Sequence, residues 1–180
     1  MEAPIWALIN LARQPFGVKM TEFEPKILAF LCNWCAYRGA DLAGTSRFHY
    51  PPNVRAIRLM CSGSLDPVYV LKALLDGADG VLIGGCHLGN CHYQDGNYKA
   101  MRRVEVLKNI LRQVGIDEER VWLRWIDASE GGLFSETIKQ MVDELRIKGP
   151  NPMRKPWQVW QETVGGKSSI ESKPKKERVK

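Results

Sequence analysis

No apolar run in this sequence is long enough to cross a membrane. The longest near the start, Ile5 to Ala12, is interrupted by Asn10 and stops at Arg13, well short of the roughly 20 residues a spanning helix needs. A secretory leader is missing as well, because Glu2 is the one charge ahead of that segment and no basic stretch precedes it. Both absences predict a cytoplasmic protein without a membrane anchor. A cationic face is also lacking. The formal net charge is +6, but residues 148–180 hold 9 of the 26 Lys and Arg and 3 of the 20 Asp and Glu, which leaves 17 of each sign in the rest. A neutral body with a basic tail does not track phosphates, so nucleic acid is not an expected partner. Histidine is scarce, with three in the chain. Cysteine is present in an odd number, five, which cannot pair completely within one chain and argues against a disulfide framework.

With 180 residues, 44% of them hydrophobic, the chain has enough apolar material for one domain with its own core. Lys26 to Leu31 is a short apolar run suited to a central strand. A helical pattern weakened by Gly39 and Gly44 follows from Cys35 to Thr45. Pro51-Pro52-Asn53 forces a turn into a less buried strand, Val54 to Met60, in which apolar and basic residues mix. Asp66-Pro67 is an N-cap followed by proline at the first helical position, opening a helix over Val68 to Leu75. Gly80 to Gly84 is the most apolar strand. Apolar residues spaced three and four apart predict a helix from Lys99 to Val114. Val121 to Ile126 reads as a strand and Leu133 to Ile147 as a last helix, closed by Gly149-Pro150. Strands and helices alternating four times predict an α/β, three-layer sandwich with a four-stranded parallel sheet, flavodoxin-like in its strand order 2-1-3-4. The expected organisation is an N-terminal extension over 1–23, an α/β domain over 24–150, and a basic, disordered tail over 151–180. Within that tail Trp157 and Trp160 are candidate docking anchors.

Cys32, Cys35, Cys61, Cys86 and Cys91 each lie at or just past the end of a predicted strand. Parallel α/β folds gather such positions at one edge of the sheet, where they bind ligands. Cys32-Asn33-Trp34-Cys35 alone could be a redox dithiol, but a dithiol needs none of the other three cysteines. Four thiolates in short-spaced pairs could hold zinc, making the chain a zinc-stabilised bridging module without redox change. A chain with its own core has little need of that staple. A [2Fe-2S] cluster also takes four thiolates, and Cys86-x4-Cys91 has the spacing of one plant-type ferredoxin element. Gly63, Gly84, Gly85 and Gly89 let backbone N–H groups approach sulfur closely, which raises a reduction potential. His87 and His92 each follow a cysteine, and adjacent residues on extended chain point to opposite sides. They are therefore expected to hydrogen-bond around the ligands or face a partner. His49, beside the double proline, is expected to be a surface or packing residue.

The strings FLCNWCAYRGADLAG, YPPNVRAIRLMCSGSLDP, GADGVLIGGCHLGNCHYQDGNYKAMRRVEVLK and WIDASEGG resemble the delta, or iron-sulfur, subunit of methyl-viologen-reducing, F420-non-reducing hydrogenase. The resemblance runs from Glu24 to Pro150. It implies a [2Fe-2S] electron carrier, part of an oxidoreductase complex with no substrate site of its own. Its implied partners are a hydrogenase, or a formate dehydrogenase-like module, and the flavin-containing subunit of heterodisulfide reductase. Such assemblies bifurcate electrons at the flavin. The family's five cysteines match Cys32, Cys35, Cys61, Cys86 and Cys91, of which four would be ligands and one spare.

Overall fold

The computed structural model describes residues 23–153. The N-terminal extension up to residue 22 and the tail from residue 154, with Trp157 and Trp160, lie outside the described residues. In chain order the elements are β1 (Ile27–Cys32), α1 (Ala36–Thr45), β2 (Val54–Leu59), a 3-10 turn (Ser62–Ser64), α2 (Pro67–Leu75), β3 (Gly80–Gly85), α3 (Gly96–Gln113), a second 3-10 turn (Glu118–Arg120), β4 (Val121–Trp125) and α4 (Gly131–Lys148).

The four strands form one parallel sheet in the order β2-β1-β3-β4, the arrangement expected of a flavodoxin-like sandwich. Alternation along β1 feeds two cores, because successive side chains leave a strand on opposite faces. Ile27, Ala29 and Leu31 join Leu82, Trp122, Phe134, Ile138 and Met141 on the side covered by α1 and α4. Phe30 joins Val70, Leu74, Val81, Ile83, Val104, Leu107 and Leu111 on the side covered by α2 and α3. The central strand β3 is buried at all six positions, as a parallel strand covered on both faces must be. β2 is an edge strand whose Arg55, Ala56, Ile57 and Arg58 are exposed. Its basic residues match the less buried strand expected there and discourage pairing with another chain.

The Asp66 carboxylate accepts a hydrogen bond from the Val68 N–H at 2.9 Å, and Pro67 is the first residue of α2. That cap follows the sequence expectation. Two helices begin earlier than their apolar periodicity indicates. α3 starts at Gly96 rather than Lys99, and α4 at Gly131 rather than Leu133. In both, the opening turn begins with glycine or polar residues, which leave no periodic apolar signal.

At the opposite edge of the sheet from the cysteines, a buried polar knot closes the domain. The Asp79 carboxylate accepts the backbone N–H of Lys26 at 2.8 Å and of Asn151 at 2.9 Å. The Asn151 amide donates to the carbonyls of Leu74 and Ala78, at the end of α2, and Arg120 donates to those of Asp79 and Gly149. Met153 packs against the α2/α3 core, so the packed chain continues three residues past Pro150. Among the described residues no helix is long and apolar enough to cross a membrane.

Candidate metal centre

Right-handed crossovers place the ends of all four strands at one edge of the sheet, and this is where the cysteines converge. Cys32 is the last residue of β1, Cys61 follows β2 by two positions, and Cys86 directly follows β3. The Sγ atoms of Cys32, Cys35 and Cys86 lie within 4.8 Å of one another, with Cys32 and Cys86 at 3.9 Å. Cys61 and Cys91 form the other part of the group and share a hydrogen bond. Both of their sulfurs close on the Cα of Gly96, the first residue of α3. A Cβ built there would overlap the Cys61 Sγ and come within 3.1 Å of the Cys91 Sγ. Gly63 in turn lies against Gly96, where a Cβ would stand 2.6 Å from the Gly96 Cα. All five cysteines are free thiols, four buried and Cys91 half-buried.

Backbone amides point at these sulfurs. The Gly63 N–H donates to Cys61 Sγ at 3.4 Å, those of Trp34 and Ser62 to Cys32, and that of His92 to Cys86. Cys32 is held down at about 5, first by the Cys35 thiol donating to it and then by the amides of Trp34 and Ser62. The same bond and burial push Cys35 far up. The contact between the two thus favours the charged form of one sulfur and the neutral form of the other. Burial raises Cys61 to about 11 against the pull of the Gly63 amide, and burial also raises Cys86. A single cation entering this group would displace several protons, as metal binding at thiols does.

The donor set fits an all-thiolate metal group. Among the described residues, the cluster of potential ligands around Cys32, Cys35 and Cys86 contains sulfur alone. The histidines beside the cysteines are otherwise engaged. His87 Nε2 is 2.8 Å from Glu130 Oε2, and the same oxygen accepts the Asp127 N–H at 2.7 Å. His92 stacks on Trp34 with ring centroids 3.9 Å apart and planes 18° from parallel. Trp34 Nε1 donates to the Tyr93 hydroxyl at 3.3 Å. His49 is exposed and contributes its carbonyl to the Ser135 hydroxyl.

Two residues that sequence reasoning passed over organise the site. One is Gly96, whose missing side chain makes room for two sulfurs. The other is Asn97, fully buried, whose amide donates to the carbonyls of Cys86 at 3.3 Å and His87 at 2.7 Å and so fixes the loop that carries Cys86. Both sit in the Asp95-Gly96-Asn97 run at the helix start. An uncharged Asn after a glycine is a signal visible in sequence, but its target is set by the tertiary structure.

Over residues 27–149 the chain matches the family described as methyl-viologen-reducing hydrogenase, delta subunit. It belongs to that family. One similar protein is the iron-sulfur subunit of the vhc F420-non-reducing hydrogenase of Methanococcus voltae, 53% identical over 71% of this chain and 89% of the relative. Another is the iron-sulfur subunit of the F420-non-reducing hydrogenase of Archaeoglobus profundus, 50% identical over 72% of this chain and 94% of the relative. A third belongs to the ferredoxin:CoB-CoM heterodisulfide reductase of Methanosarcina mazei, 52% identical over 70% of this chain but 16% of that much longer protein. The delta-subunit domain thus occurs both as nearly a whole protein and as a small part of a larger one.

Proposed function

We propose that this delta-subunit family member is a cytoplasmic [2Fe-2S] electron-transfer subunit of an oxidoreductase complex. Four of Cys32, Cys35, Cys61, Cys86 and Cys91 hold the cluster. The observation that carries this reading is the gathering of five cysteines from three strand ends at one edge of the sheet, the sulfurs of Cys32, Cys35 and Cys86 within 4.8 Å of one another and those of Cys61 and Cys91 against Gly96. When bound, the cluster supplies one-electron redox chemistry. The chain's own residues supply the thiolates, direct the N–H groups of Trp34, Ser62, Gly63 and His92 at sulfur, and keep four of the five cysteines buried. Such N–H groups stabilise added negative charge and raise the reduction potential. His87 and His92 act around the ligands rather than as ligands.

The partners are a hydrogenase, or a formate dehydrogenase-like module, on one side and the flavin-containing subunit of heterodisulfide reductase on the other. Two of the relatives carry the names of hydrogenase subunits and one that of a heterodisulfide reductase component. A domain that serves as a separate polypeptide beside one enzyme and as part of the other supports a relay between the two.

The test is iron, zinc and acid-labile sulfide content of anaerobically purified protein, with electron paramagnetic resonance before and after dithionite. About two irons and two sulfides per chain with a signal in the reduced state are expected. Zinc without sulfide, and no dithionite-dependent signal, would mean a non-redox bridging module and withdraw the proposal.

A further inference from the structure

Next to the cysteines lies a patch that the metal chemistry leaves unused. Trp34 and His92 stack face to face, Tyr93 meets both edge-on, and its hydroxyl takes the Trp34 indole N–H. This stack is anchored to the site, because the backbone amides of Trp34 and His92 are among those that donate to Cys32 and Cys86. Around it the loops bearing the cysteines expose large apolar side chains: Met60 is 58% exposed, Leu88 44% and Tyr93 47%. The Met60 carbonyl is 3.9 Å from Cys32 Sγ, which puts that residue beside the thiol group. An apolar, aromatic centre of this kind is what a protein interface buries.

Two cations border the patch. Arg38 lies over the Trp34 ring at 5.5 Å and Arg58 over the Tyr37 ring at 5.2 Å. Both are exposed, and among the described residues neither is in an ion pair with a carboxylate, whereas Lys72, Lys99, Arg112, Arg146 and Lys148 are. The acidic groups nearest the other side of the site are already engaged, Glu130 with His87 and Asp95 with Lys99. Arg38 and Arg58 are therefore two cations near this rim that no carboxylate among the described residues pairs with.

The geometry points to the Trp34–His92–Tyr93 face, with Arg38 and Arg58 on its border, as the docking surface for a redox protein that presents an apolar centre flanked by acidic residues. This inference rests on the electron-transfer reading above and adds the chemistry of the partner to it. Electrostatic complementarity of this sort acts mainly on the rate of encounter and disappears with salt. Arginine over an aromatic ring keeps its charge in place while leaving the in-plane N–H edge of the guanidinium free for a carboxylate.

The charge of this face is read with two small one-electron oxidants of opposite sign, the ferricyanide anion and the hexaammineruthenium(III) cation. The full chain with its cluster is reduced with dithionite, freed of excess reductant and mixed with either oxidant in stopped flow. One electron leaves the protein and the oxidant is reduced to ferrocyanide or hexaammineruthenium(II). The double reversal Arg38→Glu/Arg58→Glu is expected to slow ferricyanide and speed the ruthenium complex, changing the ratio of their rates by roughly tenfold or more at low ionic strength. Added salt should erase that change. The milder Arg38→Gln/Arg58→Gln should fall between, which covers the case in which the reversal fails to fold. Lys139→Glu, two turns down α4, should leave the ratio unchanged. With an unaltered paramagnetic spectrum, a ratio that ignores both arginine variants, or that moves as much with Lys139→Glu, overturns the docking surface and leaves the relay standing. Protein without iron and sulfide overturns both.

Discussion

Replacing Gly96 with alanine tests the packing of the site against the usual rule for glycine in helices. In an unobstructed helical position Gly→Ala stabilises by roughly 0.4–1 kcal/mol, chiefly by restricting the unfolded chain. Gly44 in α1 is such a position, with no atom within 4 Å of an added Cβ. Gly96 is the opposite case. Its Cβ would overlap the Cys61 Sγ, press on Cys91 Sγ at 3.1 Å, and find Gly63 on its flank at 3.7 Å. Overpacking of this kind costs about 1–3 kcal/mol, so the sign should reverse, with Gly96→Ala less stable by about 1–2 kcal/mol once the helix gain is set against the clash. For a chain of this size that lowers Tm by roughly 2–4 °C per kcal/mol, measured at the transition. Relief by rotation of the two cysteines would swing their sulfurs off Gly96 and out of the ligand group. Both routes leave a mark: lower Tm in the protein without metal, or lower iron content after anaerobic purification. Thermal unfolding and iron analysis of Gly96→Ala beside Gly44→Ala decide it. Should the two variants match in Tm and in bound iron, the convergence of Cys61 and Cys91 on the start of α3 is wrong.

Replacing the five cysteines one at a time with alanine should abolish the reduced-state paramagnetic signal in four variants and spare it in one, and a set in which two or more retain it would refute the four-thiolate cluster. Asn97→Ala frees the carbonyls of Cys86 and His87 and should cost about 1–3 kcal/mol, with metal retention against a chelator reduced by roughly 10–100-fold; unchanged retention would remove Asn97 from the site. Asp79→Ala leaves the Lys26 and Asn151 amides without their acceptor and should destabilise by roughly 2–5 kcal/mol in urea unfolding, while iron per folded chain stays constant because the knot lies at the other edge of the sheet. The Glu130 carboxyl is held below its usual 4.5, first by the Asp127 N–H and then by His87. Its contribution to stability is therefore present above that value and lost as pH falls through the lower folded one, so the acid limb of a stability profile should flatten in Glu130→Gln.

Much of the architecture was written locally. Short apolar runs of strand length, alternating with amphipathic helical periods, determine a parallel α/β sandwich, because a parallel strand needs a crossover and the crossover has one hand. Asp66-Pro67 marks the start of α2, and the arginines of β2 mark an exposed edge, since each reflects the solvent its own residue meets. The cysteines' places at strand ends likewise foretell their gathering at one edge of the sheet. Tertiary structure decided the rest. The separation of the sulfurs into a close group of Cys32, Cys35 and Cys86 and a pair on Gly96 depends on the register of three loops whose residues are up to 59 positions apart in the chain. The engagement of His87 by Glu130, the stacking of His92 on Trp34 and the grip of Asp79 on Asn151 join residues 43, 58 and 72 apart. Periodicity and propensity describe what a residue does to its neighbours in sequence. A glycine that must touch two sulfurs, or an asparagine that must hold two loop carbonyls, is defined by neighbours that only the folded chain supplies.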